Sequence, residues 1–289
     1  MSRTSAPRRV TALGGGHGLS ATLEAAISYA DSVTAVVSIA DDGGSSGRIR
    51  EAIGGGAPGD LRMCLGAMAS NSLLADALGY RFVGGELEGH AVGNLLLAGL
   101  AQSSGDLIAA LDEMVRLLDL PGRVLPATTS PVHLIGHTAH ATVEGQVAVS
   151  ETSNLERVSY RPDNPVVPGE VLEAIADADQ LLVGPGSLFT SVIATVAIPS
   201  IRDALAASKA KMVYVANLAP QAPEAADLTV SGHVEALEAH AISPDIVLAD
   251  SSLEGFPEPN VPTVYRRVAC ETTVTHDPKL LAAALWPLW

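Results

Sequence analysis

The chain has 289 residues, 47% of them apolar and only 3% aromatic, and its formal net charge is −15. A field of that sign repels phosphate backbones and anionic lipids, which argues against nucleic acids and membrane surfaces as partners. It still permits a small phosphorylated ligand, because a few arginines and main-chain N–H groups can reverse the potential inside a cleft. A core this poor in aromatic residues is typical of a parallel sheet covered by helices.

The first residues and the cysteines indicate a cytoplasmic protein. Residues 1–9 are polar and basic, and no apolar stretch that could serve as a signal peptide follows them. Cys64 and Cys270 are the two cysteines, and they are far apart. That usage predicts reduced thiols in the cytoplasm rather than a disulfide framework.

The first predicted element is a strand at residues 10–13, followed by a glycine-rich turn and a helix at 19–30. Glycines let a ligand approach the main chain closely, and a helix N-terminus offers unpaired N–H groups to an anion. The alternative is a simple connection between strand and helix, and Leu19 stands where the dinucleotide-binding fingerprint has its third glycine. The candidate ligand residues of this turn are Gly14, Gly15, Gly16, His17 and Gly18.

A second strand, predicted at residues 33–40, leads directly into the string Asp-Asp-Gly-Gly-Ser-Ser-Gly-Arg at 41–48. We interpret the string as a flexible loop in which an aspartate contacts a ribose or a metal ion and the Ser/Gly segment contacts phosphate. The alternative is an Asx turn and a helix cap. The candidate residues are Asp41, Asp42, Gly43, Gly44, Ser45 and Ser46.

Two further loops precede predicted helices. The loop at 54–60 places Asp60 as the cap of a helix at 61–70, and Arg62 in its first turn opposes the helix dipole. We therefore expect Arg62 to hold a carboxylate, such as that of Asp41 or Asp60, or a phosphate. His90 and Asn94 lie before a helix at 95–102, where His90 contacts a ligand or caps the helix.

The remaining pattern predicts one elaborated Rossmann-like α/β domain over residues 1–289, with a mainly parallel sheet flanked by helices. Residues 71–89 are predicted to be irregular, and 106–118 to be helical. Short strands at 124–127, 133–135, 141–149 and 158–161 indicate a small antiparallel insertion at roughly 123–162, with a hairpin tip at 144–145. The spacing of His133, His137 and His140 would suit a metal on a helix, but the local pattern is strand-like.

The α/β alternation returns after residue 168, with strands predicted at 181–183, 212–216, 246–249 and 263–268 and helices at 168–178, 233–240 and 278–285. Gly184, Gly186 and Ser187 follow the first of these strands, and Asn217 and Gln221 follow the second. Ligands of open parallel sheets bind beyond the carboxyl ends of the strands, so these residues join the candidate site. Ser187 fits helix capping or anion contact better than nucleophilic attack, and the absence of a recognisable nucleophile–base pair favours a protein that is not an enzyme.

The strings at residues 14–18, 41–47, 58–62, 90–99 and 184–191 together resemble the bacterial gluconeogenesis factor family (YvcK-like). The resemblance implies a Rossmann-like fold, a cytoplasmic location and binding of a UDP-sugar, UDP-N-acetylglucosamine or UDP-glucose. It also implies a regulatory rather than enzymatic role, in cell shape, cell-wall synthesis and growth on gluconeogenic carbon sources.

A related branch, the 2-phospho-L-lactate transferase (CofD-like) family, shares the glycine turn and the strand that ends in aspartate. That branch implies a transferase that uses Mg²⁺ with a nucleotide ligand, and it is the alternative function. A scaffold acting through protein contacts is a third hypothesis, and self-association into a homo-oligomer is left open. The chain departs from the gluconeogenesis factor pattern in the loop at 217–225, which contains Pro220 and Pro223, and at Thr275.

Overall fold

The computed structural model describes residues 7–53, 57–221, 223–254, 257–271 and 274–289. Its centre is a seven-stranded parallel sheet, as the composition predicts. The strands are β1 (Arg9–Gly14), β2 (Ser32–Val37), β3 (Gly122–Pro126), β7 (Gln180–Val183), β8 (Lys211–Val215), β9 (Ile246–Asp250) and β10 (Thr263–Arg266). They are arranged in the order β10-β9-β8-β7-β1-β2-β3.

Continuous apolar runs explain why these segments form a sheet that is covered on both faces. Every residue of β7 is buried, and so is every residue of β1 except Arg9. Leu13 of β1 lies opposite Val36 of β2 on one side and Val183 of β7 on the other. The glycine turn after β1 therefore lies inside the sheet, next to the middle strand β7 and between the loops that follow β7 and β2.

Helices cover both faces of this sheet. Those before the antiparallel insertion are α1 (Gly16–Ala26), α2 (Gly44–Ile53), α3 (Pro58–Met68), α4 (Ser72–Gly79), α5 (Val92–Ser104) and α6 (Leu107–Leu118). A short π-helix at Leu188–Ile193 continues as α9 (Ala194–Val196). The others are α8 (Gly169–Ala176), α10 (Pro199–Ala207), α11 (Val230–Ala239) and α12 (Pro278–Leu285).

Two segments that the sequence predicts to be irregular are helical. The string at 43–47 is low in helix propensity, yet α2 begins at Gly44, with Ser45 and Ser46 buried in its first turn. Gly47 lies directly against the carbonyl of Asp42, where a side chain would have no room, so the close turn at the start of α2 requires glycine at this position. Residues 71–89 contain α4, whose start is capped by the side chain of Asn71, which accepts a hydrogen bond from Leu74 N.

The antiparallel insertion is smaller than the sequence indicates. The strand predicted at 124–127 is β3, which pairs in parallel with β2 at the edge of the main sheet. The separate sheet contains β4 (His133–His137), β5 (Thr142–Glu144) and β6 (Arg157–Arg161), in the order β5-β4-β6. The predicted hairpin tip at 144–145 is wrong, because the chain turns at 138–141 and Gly145 instead begins the short helix α7 (Gln146–Ser150).

Within the described residues, no single helix is long and apolar enough to cross a membrane. One pair of consecutive helical segments is long and apolar enough when the two are taken together, Leu188–Val196 and Pro199–Ala207. The chain bends by 67° between them.

Candidate functional site

Four of the predicted loops leave four adjacent strands at the same edge of the sheet, following β8, β7, β1 and β2. Beside the loops after β8, β7 and β1 lies a cavity of about 500 Å³. Its predicted lining residues are His17, Gly18, Gly186, Asn217 and Gln221. Its volume lies within the range of small-molecule sites, and its position is where open parallel sheets bind ligands.

Helix α1 presents its N-terminus at this cavity. Gly15 is the N-cap residue and offers no side chain to the first N–H groups of the helix. The Asp60 carboxylate accepts the N–H of Gly16, and the next N–H groups of the first turn are left for an anion. Gly18 packs against the carbonyl group of Pro185, so that the first turn of α1 and the loop after β7 are in direct contact. Any Cβ at position 18 would overlap that carbonyl oxygen, which explains why the turn needs glycine there.

Asn217 connects the loops after β7 and β8. Its Oδ1 accepts a hydrogen bond from Gly186 N (3.1 Å), and its Nδ2 donates to Gly186 O (2.9 Å) and to Gln221 Oε1 (3.0 Å). The amide of this predicted ligand residue is therefore used to fix the shape of the loop at 184–187. Toward the described residues Gln221 uses its side-chain oxygen, and its NH₂ group is a candidate donor to a ligand.

The loops before α2, α3 and α5 bring a second group of predicted residues together. Arg62 Nε donates to Asn94 Oδ1 (3.0 Å), Asn94 Nδ2 donates to Ser45 Oγ (3.1 Å), and Ser45 Oγ contacts His90 Nδ1 (3.0 Å). His90 precedes α5 without capping it, because the N-cap residue is Ala91. The four side chains form one polar chain in which the guanidinium of Arg62 has donors left for a ligand.

The position of Arg62 depends on a glycine. An ideal Cβ at Gly93 would lie 2.8 Å from Arg62 Cγ and 2.9 Å from Cδ, so the arginine stem lies directly on the first turn of α5. Burial, followed by the neighbouring charge of Arg81, lowers the pKa of Arg62. The expectation that Arg62 holds a carboxylate or a phosphate stays a prediction: Arg62 Nε donates to the amide of Asn94, and the negative charge of Asp60 attracts the guanidinium.

Asp60 and Asp41 form a carboxylate pair behind the glycine turn. Asp60 lies in the first turn of α3 rather than at its cap, which is Ala57, and its carboxylate packs against Gly15. Burial and the negative charge of Asp41 raise the pKa of Asp60 to about 6. Asp41 accepts a hydrogen bond from Gly43 N (2.9 Å) through Oδ1, and its Oδ2 faces Gly59.

Two predicted residues have other surroundings than expected. The carboxylate of Asp42 accepts hydrogen bonds from the main-chain N–H groups of Gln146 (2.9 Å) and Val147 (3.0 Å), so it fastens the end of β2 to helix α7 of the insertion. It does not line the cavity beside α1. Ser187 occupies the N-cap position of the helix at 188–196, but its hydroxyl makes no capping hydrogen bond, which leaves it available to a ligand.

Several residues of this edge are absent from the predicted set. These residues are Ser20, Glu24 and His276, which all line the cavity. Ser20 and Glu24 do so because they lie on the face of α1 that follows the glycine turn. Burial lowers the pKa of His276 to about 4, and its Nε2 has no hydrogen-bond partner among the described residues.

Glu224 is a buried acid whose role the sequence gives no means to predict. The residue is 4% exposed, and its carboxylate faces the first turn of the helix at 188–196 without a hydrogen bond of normal geometry to the described residues. Burial raises the pKa of Glu224 to about 7. It ties the loop after β8 to the loop after β7, and so to the wall of the cavity.

The three clustered histidines lie on the insertion, away from the cavity. His133 and His137 are in strand β4, as the local pattern predicts, and His137 Nε2 lies 2.8 Å from Ser159 Oγ. His133 lies 3.7 Å from the carboxylate of Glu144. Among the described residues, no group of three or more His, Cys, Asp or Glu side chains could hold a metal ion.

A Rossmann-like parallel sheet with a glycine turn inside it and a polar cavity beside that turn is the architecture in which open α/β proteins place their ligand sites. The family model of the 2-phospho-L-lactate transferase CofD matches residues 10–284. The chain is 36% identical over 282 residues to the "Gluconeogenesis factor" of Halalkalibacterium halodurans, covering 95% of this chain and 86% of that protein. It therefore belongs to the gluconeogenesis factor family of the CofD superfamily, as the resemblance predicts.

Two further relatives agree with this assignment. A protein of Deinococcus radiodurans, named "Putative gluconeogenesis factor", is 41% identical over 314 residues, which span 97% of this chain and 66% of that protein. The chain thus spans just under two thirds of the length of that relative. A crystal structure of a UPF0052 family member from Bacillus halodurans superimposes with a TM-score of 0.90 at 33% identity, covering 96% of this chain and 98% of that one.

Proposed function

We propose that the protein is a regulatory protein that binds a UDP-sugar, UDP-N-acetylglucosamine or UDP-glucose, at the carboxyl edge of the sheet. The cavity beside α1 carries the proposal, because the free N–H groups of α1 lie at one wall and neutral polar side chains at another. The diphosphate would lie on the turn at 14–18. The remaining parts of the ligand would extend toward Gln221 and His276 on one side and toward Arg62 on the other.

The charges near the cavity fit a ligand that brings a modest negative charge. Among the described residues that line the cavity, Glu24 is the one charged residue other than histidine. At the other side of the glycine turn, Arg62 stands with the Asp41–Asp60 pair, and burial raises the pKa of Asp60 so that its negative charge is partly removed near neutral pH. The helix N-terminus and Arg62 together would supply a local positive potential inside a chain whose net charge is −15. That contrast favours a small anionic ligand over a nucleic acid.

The family name also supports a cellular role. Relatives are named gluconeogenesis factors, and we propose that this chain, in the cytoplasm, likewise links the level of a sugar nucleotide to cell shape, cell-wall synthesis and growth on gluconeogenic carbon sources. In this proposal ligand binding changes the loops at 184–187 and 217–224, which Asn217 couples. Those loops, rather than a reacting group, would carry the signal.

The Asp41–Asp60 pair favours a second candidate function, a Mg²⁺-dependent transferase of the CofD type. Mg²⁺ is commonly bound by one or two carboxylates together with the phosphates of its substrate, and a pair of carboxylates next to the glycine turn fits that requirement. Asp41 and Asp60 would hold the ion, and the ion would polarise the phosphate of a bound nucleotide. Arg62 would orient the same phosphate.

A ligand-dependent melting experiment separates the two candidates. The purified protein would be screened against UDP-N-acetylglucosamine, UDP-glucose, GDP and inorganic phosphate, each with and without Mg²⁺. At a hundred times its dissociation constant a ligand adds about 2.7 kcal/mol to the free energy of unfolding. A selective shift with a UDP-sugar that is independent of Mg²⁺ supports the regulator.

Variants locate the binding site in the same experiment. We expect Arg62→Ala to remove most of the shift, and the exposed Arg266→Ala to leave it unchanged. A shift that requires both Mg²⁺ and a guanine nucleotide, together with product formation that Asp60→Asn abolishes, would replace the regulator with the transferase. Normal binding by Arg62→Ala would refute the placement of the ligand.

A further inference from the structure

A second cavity of about 500 Å³ lies away from the site described above. It is bounded by strand β6, by the start of α10 and by the end of α11. It shares no lining residue with the cavity beside α1, and the helix at 188–196 separates its Ala197 and Pro199 wall from the loop at 184–187. Its volume also lies within the range of small-molecule sites.

The charges that line this second cavity differ from those of the chain as a whole. The sequence contains 32 Asp and Glu against 17 Lys and Arg. The lining contains two arginines, Arg157 and Arg202, and one carboxylate, that of Asp163. Asp203, which pairs with Arg202, lies just outside this lining. The two arginines are therefore concentrated at one place in an acidic protein, and Arg157 is the one of them without an ion pair to a described residue.

The strand register places donors on one face of the insertion. His137 of β4 lies directly opposite Arg157 of β6, so both side chains project from the same face of the sheet. Ser159, two residues after Arg157, is on that face too, and its hydroxyl contacts His137 Nε2 at 2.8 Å. Arg157 makes no ion pair with any described residue, and its guanidinium is free to bind a ligand.

Arg202 is held on the opposite wall. Its Nε and Nη2 donate to Asp203 Oδ1, at 3.1 and 2.9 Å, and its side chain is 35% exposed. The contact with Asp203 orients the guanidinium, and Nη1 has no hydrogen bond to the part of the chain that the structure describes. Guanidinium groups are planar multiple donors that match the geometry of phosphate oxygens.

The floor of the cavity is rigid and uncharged. His240 is buried, its Nε2 accepts from Val158 N (3.0 Å), and its Nδ1 donates to Ala236 O (2.7 Å). Both ring nitrogens are occupied in the neutral form. The hydroxyl of Tyr160 donates to Ala194 O, which joins β6 to the helix at 188–196. A floor fixed in this way lowers the entropy that ligand binding would cost.

We propose that this second cavity binds a small phosphorylated metabolite, with its phosphate held between Arg157 and Arg202 and its hydroxyl groups near Ser159 and Asp163. The phosphate would accept hydrogen bonds from both guanidinium groups. Asp163 would accept a hydrogen bond from a ligand hydroxyl, which gives its carboxylate a role beside an anion. The proposal is independent of the UDP-sugar site, because no residue is common to the two cavities.

Calorimetric titration with glycerol 3-phosphate, and with inorganic phosphate as the minimal probe, tests the proposal. We expect saturable binding at millimolar concentration and at least a tenfold loss of affinity in Arg157→Ala and in Arg202→Ala. Asp203→Asn removes a carboxylate that competes for Arg202 and is expected to tighten binding severalfold. Misfolding cannot produce a gain of affinity, so this variant discriminates best between the proposal and a structural effect.

Two controls keep the outcome unambiguous. Arg116→Ala removes an exposed arginine of α6 that is paired with Glu113, and is expected to leave the affinity unchanged. Arg62→Ala, in the site beside α1, shows whether the phosphate binds there instead. The proposal is overturned if no saturable binding is seen, or if Arg116→Ala loses as much affinity as Arg157→Ala. It is also overturned if only Arg62→Ala loses affinity, and that result would move the phosphate to the glycine turn.

Discussion

Replacing Asp60 by Asn should stabilise the protein at neutral and alkaline pH. The carboxylate of Asp60 lies against Gly15, and burial and the charge of Asp41 raise its pKa from the ordinary 3.8 to about 6. An acid whose pKa is raised on folding favours the unfolded state whenever it is ionised. The cost is fully present above about pH 6 and disappears as the pH falls below about 4.

The size of the effect follows from the two pKa values. At about 1.4 kcal/mol for each pKa unit, the difference between 3.8 and about 6 amounts to about 3 kcal/mol. Asn keeps an oxygen that can accept the hydrogen bond from Gly16 N, so Asp60→Asn should recover most of that energy at about pH 8. For a chain of this length the gain corresponds to a rise in Tm of roughly 6 °C.

Urea unfolding of the ligand-free protein at about pH 8 and about pH 4 would measure the gain at each pH. Asp76→Asn is the matched control, because Asp76 is exposed on helix α4. The reasoning predicts a gain only at the higher pH and only in Asp60→Asn. Equal gains at both pH values, or no gain at the higher one, would show that Asp60 is not a buried acid repelled by Asp41.

Three other changes test the same region. Gly18→Ala should lower the free energy of unfolding by about 1–3 kcal/mol in urea, because its methyl group meets the carbonyl of Pro185. Gly66→Ala in α3, where the space is open, should instead raise it by about 0.5–1 kcal/mol. Burial raises the pKa of Glu224 from 4.5 to about 7, so Glu224→Gln should stabilise the protein by about 3 kcal/mol above about pH 7 and by nothing at about pH 4. Melting curves at the two pH values measure the difference, and a stabilisation that is the same at both would contradict this prediction.

Most strands of the main sheet were predictable because their residues are buried on both sides, whereas the edge strand β10 is only partly buried. The runs that became β1, β2, β7, β8, β9 and β10 are short, apolar and followed by turn residues, and each prediction overlaps the observed strand. The strand β3 was recognised but assigned to the wrong sheet. The apolar run of β3 would suit pairing with β2 or with β4, and only the three-dimensional structure shows that it pairs with β2.

The candidate site was predictable at the level of loops, but not at the level of contacts. Each strand end carries small or polar residues, and the parallel fold brings those ends to one edge. The partners of single side chains depend on tertiary packing: Asp42 binds N–H groups 104 and 105 residues away, and Arg62 binds the amide of Asn94. Glu224 and His276 are visible only once the fold shows that they are buried.

The central place of β1 determines when the protein can fold during synthesis. The strand is translated early, yet one of its two neighbours is β7, and Arg9 N reaches its partner Asp179 across 170 residues of sequence. At roughly 5–20 residues per second, the ribosome completes that partner roughly 10–30 s later. During this interval one edge of an apolar strand has no neighbour, a state prone to aggregation. The strand that carries the glycine turn therefore keeps one unpaired edge in the nascent chain until β7 has left the ribosome.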